Sequence, residues 1–287
     1  MKYLAHFIQY VFIRVLFSIF KIIGYKMSSD LGEKLGKLFG PYFRDKKRTI
    51  RNLRDSKIGN NDDEREIIIN DMWGNYGRIL SEYPFIKYFN NGKLKNYIKL
   101  EGEENLVEII KRKKNVVFVS GHFNNFELMA MQLDKKGIKL AAIYRPLNNY
   151  FLNKVMENIR KKYICKNQIK KGRSGTREFI KLINNGYSIA LMIDQRVTEG
   201  VKCKFFGREA YTTTIPAQIV KKFKFDIIPV DIKRERSYYF RMIVHKPLNL
   251  RESESVEDIT LKLNNTLEKM IRVKPSQWIW THNRWKQ

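Results

Sequence analysis

The octapeptide Ser120-Gly121-His122-Phe123-Asn124-Asn125-Phe126-Glu127 follows directly on the apolar run NVVFV at 115–119. An imidazole on a loop after a buried strand can take a proton from a hydroxyl. A carboxylate five positions later, on the first turns of a helix, can reach back to fix its tautomer and stabilise the imidazolium. A continuous helix would not favour that spacing, so the arrangement needs a loop between the two residues. Gly121 suits a tight turn, and Asn124 or Asn125 suits the cap of the following helix. The plainer reading is a histidine in a capping loop with a solvated glutamate. The octapeptide alone does not choose between them.

Other polar residues stand where chemistry could use them. Arg145, in YRPLNN, is stiffened by Pro146 and could bind a phosphate or a developing oxyanion, or simply form a surface ion pair. Asp194-Gln195 could contact a ligand or cap a loop. Thr212, Thr213 and Thr214 open a helix, which they could cap or use to hold an anion. The chain has no Gly-x-Ser-x-Gly, no Gly-rich phosphate loop and no His-Glu-x-x-His. A base at His122 would therefore act on a substrate hydroxyl directly, without a covalent enzyme intermediate.

The elements that must position these residues are legible as pattern. NVVFVS, KLAAIY, SIALMID and DIIPVDI are short apolar runs suited to buried strands. Helical periodicity lies between most of them, at 124–136, 150–162, 174–184 and 213–224. Buried strands alternating with helices predict an α/β fold: a largely parallel or mixed central sheet flanked by helices, with sites beyond the carboxyl ends of the strands. YYFRMIVHK predicts a more alternating strand, suited to an edge. Helices are expected from Asp62 and over 256–273, and Gly40-Pro41 predicts a turn.

Composition narrows the partners. With 56 basic and 29 acidic residues the 287-residue chain carries +27, which favours anionic partners: nucleic acid, an anionic membrane, a phosphorylated lipid or an acidic protein. An AT-rich coding bias toward Lys, Ile and Asn accounts for part of the excess. Cys165 and Cys203 are 38 positions apart without a Cys/His cluster, which argues against zinc and suits free thiols in a reducing compartment. The first 25 residues form the most apolar stretch, 17 of them from Phe7 to Ile23, with His6, Tyr10, Arg14, Ser18 and Lys21 along one stripe. They predict a membrane anchor, either a tilted span or a helix lying in the interface; the plainer alternative is a core helix of a soluble protein. Arg14 within the apolar region argues against a cleaved signal. Lys26, Lys34, Lys37 and the basic run from Arg44 place the following side in the cytoplasm, against anionic lipid. Residues 26–287 show no linker and are expected to form one cytoplasmic α/β domain.

Taken in order, these blocks resemble a known family. SGHFNNFE is similar to the His-x4-Asp/Glu motif of glycerolipid acyltransferases, in the form GHxGNWE of the bacterial lipid A late acyltransferases (lauroyl and myristoyl transferases). YRPLNN, the Asp194-Gln195 pair, FFG with the threonine-started helix, and the ending WIWTHNRWK resemble their later blocks, so the likeness runs over essentially the whole chain. It implies an O-acyltransferase of lipid A and lipopolysaccharide biosynthesis at the bacterial inner membrane, its catalytic domain on the cytoplasmic face. The donor would be acyl carrier protein or coenzyme A as acyl thioester, the acceptor a phosphorylated glycolipid, with no metal and no further cofactor. By position it makes His122 the general base and Glu127 its partner, with Arg145, Arg173, Asp194 and Gln195 in the substrate site. Asn124-Asn125 replaces the family's Gly-Asn and Phe126 its Trp, which implies a stiffer loop or a differently shaped acyl pocket. Two rival readings predict other outcomes: an acyltransferase for lysophosphatidic acid or a mannosylated lipid, and a membrane-bound nucleic-acid binder. The second is disfavoured, because Trp278, Trp280 and Trp285 are not interleaved with a basic stripe and no nucleic-acid motif is present.

Overall fold

The computed structural model describes residues 2–286, apart from the side chains of Arg173 and Ser174. Five helices come first: α1 (Lys2–Ile23), α2 (Tyr25–Phe39), α3 (Lys46–Asp55), α4 (Asp62–Glu82) and the short α5 (Ile86–Asn90). Gly24, at φ +83°, breaks α1 from α2. Asn61 caps α4 by accepting from the Glu64 N–H, and Asp62, Asp63 and Glu64 complement its dipole. Backbones of α2 and α4 touch closely: a Cβ on Gly77 would lie 1.8 Å from the Gly32 carbonyl oxygen. The Gly40-Pro41 turn is one turn of 3₁₀ helix, Gly40–Phe43.

β1 (Ile98–Glu101) and α6 (Glu103–Arg112) lead into the α/β core. There β2 (Val116–Ser120), α7 (Glu127–Lys135), β3 (Leu140–Tyr144), α8 (Tyr150–Tyr163), β4 (Asn167–Lys170), α9 (Arg173–Asn184) and β5 (Ser188–Met192) alternate. A hairpin, β6 (Val201–Phe205) with β7 (Arg208–Thr212), precedes α10 (Ile215–Phe223), β8 (Asp226–Glu235), β9 (Tyr239–Val244) and α11 (Val256–Val273). A seven-stranded sheet has the order β1-β9-β8-β2-β5-β3-β4, parallel throughout except where β8 meets β9. Its central strand β2, VVFVS, is buried at every position, as a strand covered on both faces must be. Ser255 and Asp258 close a capping box on α11.

The expected α/β architecture is present, with local differences. β9 lies inside the sheet, and its alternation reflects one half-exposed face; the edge is the four-residue β1, too short and polar to stand out. β4 and the β6–β7 hairpin carry no long apolar run. α7 starts at Glu127 and α10 at Ile215, each later than periodicity suggested.

α1 is the one described helix long and apolar enough to cross a membrane, 22 residues or about 33 Å. Leu4, Ile8, Phe12, Val15, Ile19 and Ile22 are exposed on it. The polar stripe does not form one face: His6 and Tyr10 turn inward, while Arg14, Ser18 and Lys21 are exposed. The inner face meets α8, where Asn149 Nδ2 donates to the His6 carbonyl (2.9 Å) and to Gln9 Oε1 (3.1 Å), and Tyr3 and Phe7 pack edge-on against Phe151. Under the sheet, Arg234 and Glu82 form a bidentate buried ion pair (2.5 and 3.0 Å), with Ser29 and Asn75 bonded to it.

Candidate active site

β2 and β5 are parallel neighbours, and their register sets Ser120 opposite Met192. Two residues further on, past the ends of both strands, His122 lies across from Asp194. The contact is close: His122 Nδ1 is 2.7 Å from Asp194 Oδ1, and the His122 backbone N–H donates to Oδ2 at 2.9 Å. Trp278 donates its indole N–H to the same Oδ2 at 2.9 Å. Asp194 is 1% exposed, and these three N–H groups satisfy it. With Nδ1–H donated to a carboxylate, Nε2 becomes the basic atom of the neutral ring, and no partner engages it among the described residues.

The electrostatics agree. Burial alone would lower the His122 pKa, but the charge and hydrogen bond of Asp194, aided by the more distant Glu127, hold it above the ordinary imidazole value. Burial alone would raise Asp194; the His122 ring, the His122 N–H and the indole N–H bring it down to about 2.

Glu127 is not the partner of the imidazole. Its carboxylate is taken by Arg160 of α8, whose Nε and Nη2 donate to Oε1 at 2.8 and 2.5 Å. The physical reason lies in the sheet: parallel neighbouring strands put Asp194 directly beside His122, while the first turn of α7 carries Glu127 toward α8. The asparagines do not cap α7 either, which begins after Phe126 without a side-chain cap. Asn124 sits at φ +43°, a left-handed conformation natural to glycine and tolerated by asparagine. The glycine that the resemblance implies at this position would suit that conformation. Gly121 keeps an ordinary φ; a Cβ there would come within 3.0 Å of the Phe123 ring. Asn124 Nδ2 donates to the Ile232 carbonyl and to Gln277 Oε1, both at 2.8 Å, and Asn125 Nδ2 reaches Glu82 Oε2 at 3.4 Å. Phe126 packs edge-on to the imidazole, ring centroids 4.8 Å apart.

In front of the ring lies a cavity of about 170 Å³. Buried Phe118, Met129, Leu133 and Ile164 line its inner part; exposed Arg145 and Lys171 line its open part, with half-buried Gln195 and Arg196. Arg145 and Gln195 make no hydrogen bond or ion pair among the described residues, so both are free to meet a ligand. Neighbouring groups at the cavity mouth partly desolvate the Lys171 ammonium and lower its pKa, against the pull of Glu199, and nearby Arg145 lowers it further. Arg173 opens α9, but its side chain lies outside the described residues. Thr213 also lines the cavity, whereas Thr212 is turned into the protein, its hydroxyl accepting from Arg284 Nη2 at 2.7 Å. Arg160 carries no sequence signal at all, and Trp278 is visible only as part of an aromatic tail.

The family model described as bacterial lipid A biosynthesis acyltransferase matches residues 1–287. Lipid A biosynthesis acyltransferase 2 of Shigella flexneri is 24% identical, over 86% of this chain and 80% of its own length. The lipid A biosynthesis palmitoleoyltransferase of Escherichia coli (strain K12) is 23% identical over 91% and 86%, and the myristoyltransferase of the same strain 21% over 76% and 68%. The crystal structure of a 1-acyl-sn-glycerophosphate acyltransferase from Thermotoga maritima aligns with a TM-score of 0.41 at 15% identity, covering 87% of this chain and 98% of that one.

Proposed function

The chain belongs to the bacterial lipid A biosynthesis acyltransferase family and is an acyltransferase of that pathway; from this premise we propose how its site works and on what. The acceptor is a hydroxyl of a phosphorylated, already acylated glucosamine lipid, and the donor is a fatty acyl thioester of acyl carrier protein. The observation that carries the catalytic assignment is that Nδ1 of His122 is committed to a buried carboxylate, which leaves Nε2 basic in a largely apolar cavity.

His122 Nε2 accepts the proton of the acceptor hydroxyl as its oxygen attacks the thioester carbonyl. Asp194 stabilises the imidazolium without taking the proton. Arg145 neutralises the oxyanion of the tetrahedral intermediate or a phosphate of the acceptor. The C–S bond then breaks, and the imidazolium returns its proton to the departing thiolate. The ester and a free thiol leave, and His122 is ready again.

A net charge of +27 supports an acidic carrier as donor, as do the exposed Lys161, Lys162 and Lys166 of a groove that shares Gln168 with the cavity. The apolar outer face of α1 supports attachment to the inner membrane, and the basic residues that follow it support a single catalytic domain, 26–287, on the cytoplasmic side. The test is an assay of purified protein with carrier-protein and coenzyme A thioesters and a tetra-acylated lipid A precursor. His122→Ala should lose transfer while still partitioning into vesicles; more than a few per cent of residual turnover would remove His122 from the base role. Activity with lysophosphatidic acid in place of the precursor would move the acceptor, and a preference for coenzyme A would move the donor.

A further inference from the structure

Gln277 and Trp278 are neighbours in the chain and hold opposite halves of the histidine–aspartate pair. Gln277 Oε1 accepts from Asn124 Nδ2 at 2.8 Å and from the Arg234 N–H at 3.1 Å. Its backbone carbonyl accepts the Asn124 N–H at 3.3 Å, and its side-chain amide donates to the Arg234 carbonyl at 3.0 Å. Asn124 lies two residues past His122, in the loop that carries the ring. Trp278 donates to the carboxylate on the other side of that ring. We propose that the segment from Gln277 to Trp285 is a strap that sets the His122–Asp194 geometry, with Trp278 a positioning residue for acyl transfer. This rests on the reading of His122 as the base.

The rest of the strap behaves in the same way. His282 Nε2 accepts the backbone N–H of Arg196 at 3.1 Å, one loop with Asp194. Arg284, fully buried, donates to the Tyr211 carbonyl and the Thr212 hydroxyl, both at 2.7 Å, just ahead of Thr213 in the cavity wall. Trp285 donates to the Phe205 carbonyl at 3.0 Å. A segment that only closed the core would bury apolar side chains against others. This one also directs polar groups onto the loops of His122 and Asp194 and onto the end of β7 beside Thr213. It has the rigidity to do so, because Trp278 and Trp280 are 1% and 0% exposed and meet at right angles, centroids 4.8 Å apart.

Asp194 Oδ2 has two donors, the His122 N–H and the indole. Without the indole, the carboxylate can swing away from the line that aims Nε2 at the cavity, and an ångström of misplacement costs on the order of 10² in rate. Trp278→Phe keeps an aromatic ring in place and deletes the donor. The expected result is a kcat lower by about 10- to 100-fold with KM within about twofold. The acid limb of the pH profile should move up, because a carboxylate short of one donor holds the shared proton more tightly. Thermal denaturation reports whether the variant folds. If it does not, benzothienylalanine at 278, which puts sulfur in place of the N–H in the same outline, decides by the same two readouts. A wild-type kcat and acid limb in the folded variant overturn the proposal, and so does a raised KM at unchanged kcat. His122→Ala is run alongside: if it is active, the reading of the base fails; if it is inert while the Trp278 variant is normal, only the strap fails.

Discussion

Two carboxylates stand close enough to His122 to raise its pKa, and they are held in opposite ways. Asp194, just past β5, is hydrogen-bonded to no cation but the imidazole among the described residues; its other donors are the backbone N–H and an indole, so its charge acts first on the ring and only at longer range on the buried Arg284 guanidinium. Glu127, on the first turn of α7, gives one oxygen to two N–H groups of the Arg160 guanidinium. A carboxylate already neutralised by arginine does little for an imidazolium forming nearby. Sequence proximity therefore points to Glu127, whereas strand adjacency brings Asp194 to the ring. Glu127 and Arg160 instead tie α7 to α8 along one side of the cavity.

The largest expected effect tests that division of labour. Asp194→Asn, assayed for initial rates of acyl transfer, should lose on the order of 10³-fold in kcat, since the ring loses both its fixed tautomer and its counter-charge. Glu127→Gln should lose only about 10-fold, because it disturbs the base through a wall of the cavity. A greater loss in Glu127→Gln would reverse the comparison. A double-mutant cycle sharpens it: Glu127→Gln and Arg160→Met should be strongly non-additive, while Asp194→Asn and Arg160→Met should combine almost independently.

A pH profile separates the two acids next. As the proposed base, His122 would work as the neutral ring, and its pKa is held above the ordinary value of about 6.5, so kcat/KM should fall as pH drops through a point above that value. In Asp194→Asn burial is opposed only by the more distant Glu127, and the acid limb should move below about 6.5. In Glu127→Gln the limb should move down only slightly. A limb that stays in place in Asp194→Asn would contradict the pairing. The smallest effect concerns the open end of the cavity: Arg145→Ala should raise KM by about 10-fold with a lesser change in kcat, as expected for loss of a binding contact.

Much of this was legible in the residues. The apolar runs at β2, β3, β5 and β8 announced the sheet, because strands buried on both faces must be apolar throughout. Strand ends then announced where a site would form, and His122, Arg145, Asp194 and Gln195 all stand there. Asn124 read as a helix cap or a stiffer loop residue; its left-handed conformation was not legible. What stayed hidden depends on strand order. β2 and β5 are separated by two other strands in sequence, and nothing local says that they pair. The same holds for Arg160, 33 positions from Glu127, and for Gln277, 153 positions from Asn124. Such contacts are written in the sheet's topology, not in spacing.

The indole that holds Asp194 lies 84 residues further along the chain. At a synthesis rate of roughly 5–20 residues per second, it emerges about 4–17 s after the aspartate does. α1 precedes both, so on the proposed reading the chain could engage a membrane before the His122–Asp194 pair has its last donor. Contacts this far apart in sequence are also slow to close once the chain is free. On the proposed reading, attachment and activation would thus be ordered in time by the chain's own direction: a partly made molecule could reach the bilayer before its base is aimed.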